Sequence, residues 1–227
     1  MSETQQDQEF IVTEALGKTE HFINQNKKSL GIIVGALIIA VGGYIFYQKV
    51  YVANKEKEAQ AVLFYAEQYL NSDSLNKAIN GYNGHPGLEE IANEYSVSPS
   101  GNIARYYLGM AYLKLKQYDK AIEALKSYDP QDLVTGSIAY GAIGDAYMEQ
   151  KNTEEAISYY SKASNENPNN FSTPMMLMKL GIAYEVKGNY SEAKDAYQKI
   201  KTNYPASNEG AQVEKYIARA EAMASSK

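Results

Sequence analysis

Eighteen consecutive residues, Leu30 to Tyr47 (LGIIVGALIIAVGGYIFY), carry neither a charge nor a proline. No other stretch of the chain is as apolar. As a helix this run is about 27 Å long at ~1.5 Å per residue, close to the ~30 Å of bilayer hydrocarbon. A helix also pairs its own backbone N–H and C=O groups, which lipid requires. Lys27 and Lys28 stand at one end of the run and Lys49 at the other. Tyr44, Tyr47 and Tyr51 offer rings with polar tips, suited to the headgroup level. The expectation is a transmembrane helix over residues 30–48. The competing reading is a buried core helix.

Its surroundings argue for an anchor that stays in place. The 29 residues before it are long and acidic for a signal peptide. The run exceeds the usual ~7–15 residues, and no clear A-x-A cleavage site follows. Flanking lysines tie by number: Lys18, Lys27 and Lys28 against Lys49, Lys55 and Lys57. The Lys27–Lys28 pair abuts the helix, which places residues 1–29 in the cytosol and the large C-terminal part outside. The opposite orientation is the alternative. Residues 1–9 are polar and read as disordered. Phe10 to Asn26 has a modest helical pattern, fitting either a surface-lying or a solvated helix. Within the anchor, Gly31 and Gly35 form a G-x-x-x-G pair and Gly42 continues that face, a pattern that lets another helix approach closely.

Roughly 180 residues remain, enough for one domain with its own core. The net charge of −5 is spread evenly, and no basic block suggests nucleic acid. Cysteine is absent, which excludes disulfides, thiolate metal sites, thiol nucleophiles and thioether lipid attachment. Val50 to Leu70 shows helical spacing (Ala59, Val62, Leu63, Ala66, Leu70) and reads as a helix leaving the membrane. Leu75–Gly81 and Leu88–Tyr95 are short helical pieces around an Asn83–Gly87 loop, together with residues 49–100 forming a linking region.

From there the chain repeats. Gly109, Gly144 and Gly181 each open one pattern. Two residues on stand Ala111, Ala146 and Ala183; three on, Tyr112, Tyr147 and Tyr184. Twelve on come Ala121, Ala156 and Ala193, then Leu125, Tyr160 and Tyr197. Pro168 and Pro205 close the second and third units. Periods of 35 and 37 residues imply a solenoid of stacked helix pairs. Glycine belongs where paired helices touch, tyrosine fills the gap near the first helix's end, alanine admits the next helix, and proline ends the second. Thr153 and Ser191 are placed to cap second helices.

LGMAY, IGDAY and LGIAY, followed by DKAIEAL, EEAISYY and SEAKDAY, resemble the tetratricopeptide repeat over residues 101–205. The resemblance implies an all-α solenoid that binds other proteins. The first unit departs from it, with Asp129-Pro130 early, and Leu75–Tyr95 echoes a degenerate unit. Residues 206–227 would form the capping helix, with Val213, Tyr216, Ile217 and Ala220 inward.

Enzyme chemistry is hard to build from these residues. The two histidines, His21 and His85, fall in the tail and in a Gly/Pro loop and read as solvent-exposed. Neither has a metal-ligand partner nearby. Glu89-Glu90 and Glu154-Glu155 sit early in helices, where acids suit the macrodipole. No cofactor and no catalysis are expected.

The family's groove positions, carried onto this chain, are Ile103, Tyr106, Met110 and Leu113 in the first unit. The second contributes Ile138, Gly141, Asp145 and Met148, and the third Met175, Met178, Ile182 and Glu185. The set is largely apolar and rich in methionine, which repacks readily. It would engage an unfolded segment or an amphipathic helix if open; the Val50–Leu70 helix covering it is the other reading. The whole layout is similar to the YfgM-like family, the ancillary SecYEG translocon subunits of bacterial inner membranes. That resemblance implies a periplasmic adaptor beside the Sec translocon and a PpiD-type membrane-anchored folding factor.

Overall fold

The computed structural model describes residues 3–226. Every extended element among them is helical, and one isolated antiparallel bridge joins Tyr82 to His85. Two compact units emerge, Met1–Asn54 and Lys55–Lys227.

The first unit is dominated by α1, Glu3–Phe46, a single helix of 44 residues. The polar start expected to be disordered is helical from Glu3, and Phe10–Asn26 belongs to the same rod. Residues 1 and 2 lie outside the described residues. Along the apolar run Ile32, Ile38 and Ile39 are all more than half exposed. By length and composition this helix can cross a membrane. A six-residue π-helical turn, Tyr47–Val52, follows, with Tyr47 and Tyr51 stacked at 5.3 Å. Residues spaced four apart meet on a helix surface, which brings these rings together.

The second unit starts in α2, Ala53–Asn71, and continues through short α3 (Leu75–Asn80) and α4 (Leu88–Glu94). Three helix pairs follow: α5 (Pro99–Lys114) with α6 (Tyr118–Ser127), α7 (Leu133–Glu149) with α8 (Thr153–Asn165), and α9 (Thr173–Lys187) with α10 (Tyr190–Asn203). A 3₁₀ turn, Gly210–Gln212, leads to α11, Val213–Ser225, which packs on α10. The first helices α5, α7 and α9 touch in sequence, so they share one side of the stack.

The repeated residues explain the packing. A Cβ on Gly144 would stand 2.5 Å from the Tyr160 ring, and one on Gly181 would stand 2.2 Å from the Tyr197 ring. No side chain fits there, so each pair closes only over glycine. Ala121, Ala156 and Ala193 are fully buried at the matching points of the second helices. Each first helix ends seven residues after its glycine in a left-handed residue: Lys116 (φ 59°), Lys151 (φ 61°) and Gly188 (φ 81°). That conformation turns the chain into the second helix. Consequently α8 and α10 begin earlier than the Thr153 and Ser191 caps predict. Asn152 takes the cap position and accepts from the Glu155 N–H at 3.4 Å, and Asn189 takes the equivalent place without a side-chain bond.

Buried polar side chains brace the ends of second helices. The Asn102 amide donates to the Asp129 carbonyl (2.6 Å) and accepts from the Asp129 N–H (2.8 Å). Ser137, 35 residues on, donates to the Ala163 carbonyl at 2.8 Å. Buried groups with both needs met in this way hold a loop in a single arrangement.

Candidate protein-binding side of the repeats

The candidate groove residues sit along α5, α7 and α9. Ile103, Tyr106, Met110 and Leu113 are half-buried and lean on the cluster formed by Ile122, Leu125, Ile143 and Ala146. Ile138, Met148 and Met175 are half-buried, and Met178 is buried with only 9 % of its surface exposed. Gly141 is closed off: a Cβ there would meet the Met176 Sδ at 2.4 Å, so this position is an α7–α9 contact. Ile182 is 38 % exposed. Val186, one turn further and 61 % exposed, extends the same apolar strip and is absent from the sequence-derived set.

The linking helix α2 is part of the stack. Leu63 and Ala66 enter the cluster of Ile91, Ala104 and Leu108. The Glu56 carboxylate accepts from the Ser100 N–H and from the Ser100 hydroxyl, both at 2.8 Å. It thereby caps α5 together with Ser98, whose hydroxyl accepts from the Gly101 N–H at 3.0 Å. An anion at a helix N-terminus is favoured by the dipole and the free N–H groups. Burial pushes the Glu56 pKa up, but the bonds from Ser100 outweigh it, and the net shift is downward. The loop after α3 is also tied to α2. His85, expected to be solvent-exposed, is half-buried and stacks on Tyr65 with ring centroids 3.5 Å apart.

With α2 seated there, the first-helix side keeps two cavities. One, of about 410 Å³, lies between α2, α3 and α5 and is lined by Glu67, Leu70, Leu75, Tyr107, Met110 and Lys114. The other, of about 510 Å³, lies between α5 and α7 and is lined by Leu113, Lys114, Lys116, Tyr118, Asp145, Met148, Glu149 and Tyr160.

Two groove acids turn out to be joints between units. Asp145 receives Lys179 Nζ at 2.5 and 2.7 Å and the Tyr160 hydroxyl at 2.7 Å. Glu185 receives Arg219 through Nε (3.2 Å) and Nη2 (2.6 Å), a two-pronged contact. Both pairs span 34 residues, and that spacing of opposite charges is the sequence signal that identifies them. Burial, reinforced by the Asp145 charge, pushes the Tyr160 phenol pKa far up. The buried Tyr197 hydroxyl lies near Glu185 and Arg219 but meets no partner in hydrogen-bonding geometry. Among the described residues, no three histidines or acids gather closely enough to hold a metal ion.

Comparison with known proteins agrees with this geometry. Tetratricopeptide repeat models match residues 88–132, 137–170 and 176–207. Tetratricopeptide repeat protein 29 of Macaca fascicularis is 34 % identical over 117 residues, covering 48 % of this chain and 25 % of that protein. The uncharacterized protein ycf37 of Guillardia theta is 34 % identical over 99 residues, 42 % of this chain and 54 % of that protein. The chain thus spans between a quarter and about half of the length of these relatives. Among solved structures, MamA superposes with a TM-score of 0.59 at 19 % identity, covering 74 % of this chain and 82 % of that one. Nearly identical TPR-like repeats of a Podosopora anserina kinesin light chain give 0.56 at 16 % identity, covering 76 % and 89 %. These structures share the fold. The repeating glycine-ring contacts, the three stacked pairs and the matched models agree that this chain carries an array of tetratricopeptide repeats.

Proposed function

We propose that this chain is a membrane-anchored adaptor whose repeats hold a segment of another protein. Residues 30–48 form the anchor, residues 1–29 a cytosolic tail, residues 101–205 the gripping array and residues 206–227 its cap. The observation that carries the reading is the pair of open cavities along the first helices, where Leu70, Leu75 and Met110 line one and Leu113 and Met148 the other, beside charged groups. Concave surfaces that combine apolar side chains with a few polar groups are the usual places for a ligand to dock. The groove is Ile103, Tyr106, Met110, Leu113, Ile138, Met148, Met175, Ile182 and the newly added Val186, with Asp145 and Glu185 supporting it from behind. Gly31, Gly35 and Gly42 meet open space along α1, which leaves room for a neighbouring membrane helix.

The similarity of layout to YfgM-like proteins supports a place on the periplasmic face of a bacterial inner membrane, beside the Sec translocon and a PpiD-type folding factor. Crosslinking in intact cells followed by detergent purification tests this. Recovery of translocon subunits or of a periplasmic folding factor is the expected outcome, and their absence from repeated captures overturns the placement. The second reading, a scaffold with cytoplasmic repeats, is left open by the tie in flanking lysines. The lack of native cysteine makes the choice simple to test. Single cysteines at Gln25→Cys and Met223→Cys are exposed to a membrane-impermeant maleimide in spheroplasts. Labelling at 223 alone supports periplasmic repeats, and labelling at 25 alone supports the scaffold.

A further inference from the structure

We propose that the array has a second docking place, on the side of α5 away from the groove, and that it seats a tyrosine side chain of a partner protein. The place is a cavity of about 730 Å³ between α4 and α6, with Arg105, Leu108 and Tyr112 of α5 lining it. The groove residues Ile103, Tyr106 and Met110 each stand two positions earlier. A step of two residues turns a helix by about 200°, so the two sets face opposite ways.

The next unit shows what such a hollow holds. At 35 residues on, Arg105, Leu108, Tyr112 and Ala124 become Tyr140, Ile143, Tyr147 and Tyr159. There the Tyr159 ring lies 6.5 Å from that of Tyr140 and 5.6 Å from that of Tyr147, centroid to centroid. All three rings pack against the cluster that contains Ile143. The first unit keeps the apolar floor, as Leu108, and one flanking ring, as Tyr112. Where Tyr159 would project, it has only the methyl group of Ala124, and the space is open.

The remaining lining selects the ring. Arg105 takes the place of Tyr140, and its guanidinium donates to the Ser96 carbonyl at 3.2 Å. A guanidinium plane stacks on an aromatic face, so it can flank an incoming ring as Tyr140 flanks Tyr159. Four charged residues line the cavity, Glu89 and Glu123 against Arg105 and Lys120, and their signs cancel. Neither an acidic nor a basic side chain is favoured there, whereas a neutral ring with a polar tip uses both floor and rim. Glu89 already accepts from the Tyr112 hydroxyl. Glu123 stands exposed in the lining and is the acceptor for an incoming phenol. In the next unit a charged group likewise meets a ring hydroxyl, with Lys126 donating to Tyr147 at 3.1 Å.

The test uses the full chain in zwitterionic lipid nanodiscs and uncharged peptides, acetyl-Gly-Ser-X-Ser-Gly-amide, with Tyr, Phe or Leu at X. Saturation-transfer NMR reads binding, and empty nanodiscs are the blank. The Tyr peptide should bind with a Kd of about 1 mM, as suits a single anchored side chain. It should bind about three- to fivefold more tightly than the Phe peptide, which lacks the hydroxyl, and more tightly still than the Leu peptide. Ala124→Tyr supplies the ring from the chain itself, as Tyr159 does in the next unit. It should abolish binding of the Tyr peptide and leave Tm unchanged or raised. Arg105→Ala should weaken the Tyr peptide about two- to fivefold by removing one flank of the ring.

A Tyr peptide that never exceeds the blank overturns the docking place. So does full binding to Ala124→Tyr, or a lowered Tm of that variant, since the hollow would then not match the ring site of the next unit. Phe or Leu peptides that bind as tightly as the Tyr peptide, or an Arg105→Ala variant that binds it unchanged, overturn tyrosine as the occupant. The groove reading stands or falls separately, because its residues lie on the other side of α5.

Discussion

Replacing Gly181 with alanine sets two opposed quantities against each other. Alanine gains roughly 1 kcal/mol of helix propensity over glycine inside a helix. The new Cβ would stand 2.2 Å from Cε1 of Tyr197, whereas unstrained carbons meet at about 3.5–4.0 Å. Tyr197 has no exposed surface and lies 5.4 Å, centroid to centroid, from Tyr216 of α11. Its ring therefore has little room to retreat, and α10 must shift. Overpacking of this kind costs about 1–3 kcal/mol, and a wedge of more than 1 Å into a rigid ring belongs at or above the upper end. The net expectation is destabilisation of about 1–2 kcal/mol. For a chain of this size each kcal/mol moves Tm by roughly 2–4 °C, so Tm should fall by about 2–8 °C. Far-UV circular dichroism of the full chain in detergent micelles reads this. A double-mutant cycle isolates the cause: Tyr197→Leu removes the ring, so Gly181→Ala should cost about 1 kcal/mol less in its presence. An unchanged or raised Tm for Gly181→Ala, or additivity within about 0.5 kcal/mol, would refute the close-contact reasoning.

Other consequences follow from the same contacts. Glu56→Gln should lower stability by about 1–2 kcal/mol near neutral pH by weakening the α5 cap. Because the folded Glu56 pKa lies below the ordinary 4.5, its contribution is fully present above that value and lost as pH falls through the lower folded value. The variant and the parent should converge in acid unfolding curves, and a gap that persists at low pH would contradict this. Lys151→Gly should stabilise the chain by about 0.5 kcal/mol, because a non-glycine residue strains the left-handed position that Gly188 fills in the next unit. Chemical denaturation measures it, and a loss of stability would count against the turn argument. The Asp145–Lys179 pair is about one-third exposed, so a double-mutant cycle should return only about 0.5–1 kcal/mol, shrinking with salt. His85→Ala should speed hydrogen exchange at the Tyr82 and His85 amides, which bond across the loop at 3.1 Å, by removing a stack worth about 0.5–1.5 kcal/mol. Unchanged exchange would mean that the bridge alone holds the loop.

The sequence by itself determined the apolar rod, the three helix pairs and the cap. Each follows from periodicity: an unbroken apolar run has one means of pairing its backbone in lipid, and a glycine recurring every 35 or 37 residues has one use between paired helices. It also placed the first-helix residues on one side of the array. Only the tertiary structure decided what those residues do there. Asp145 and Glu185 occupy groove register positions, yet partners 34 residues away draw them into joints between units. Gly141 shares that register and is sealed by Met176. The linking helix α2 caps α5 through Glu56 and leaves the two cavities that meet at Lys114. Local pattern sets which face a side chain takes, because helix geometry is regular over a few residues. Whether that face stays open depends on residues far along the chain, and only packing brings them there.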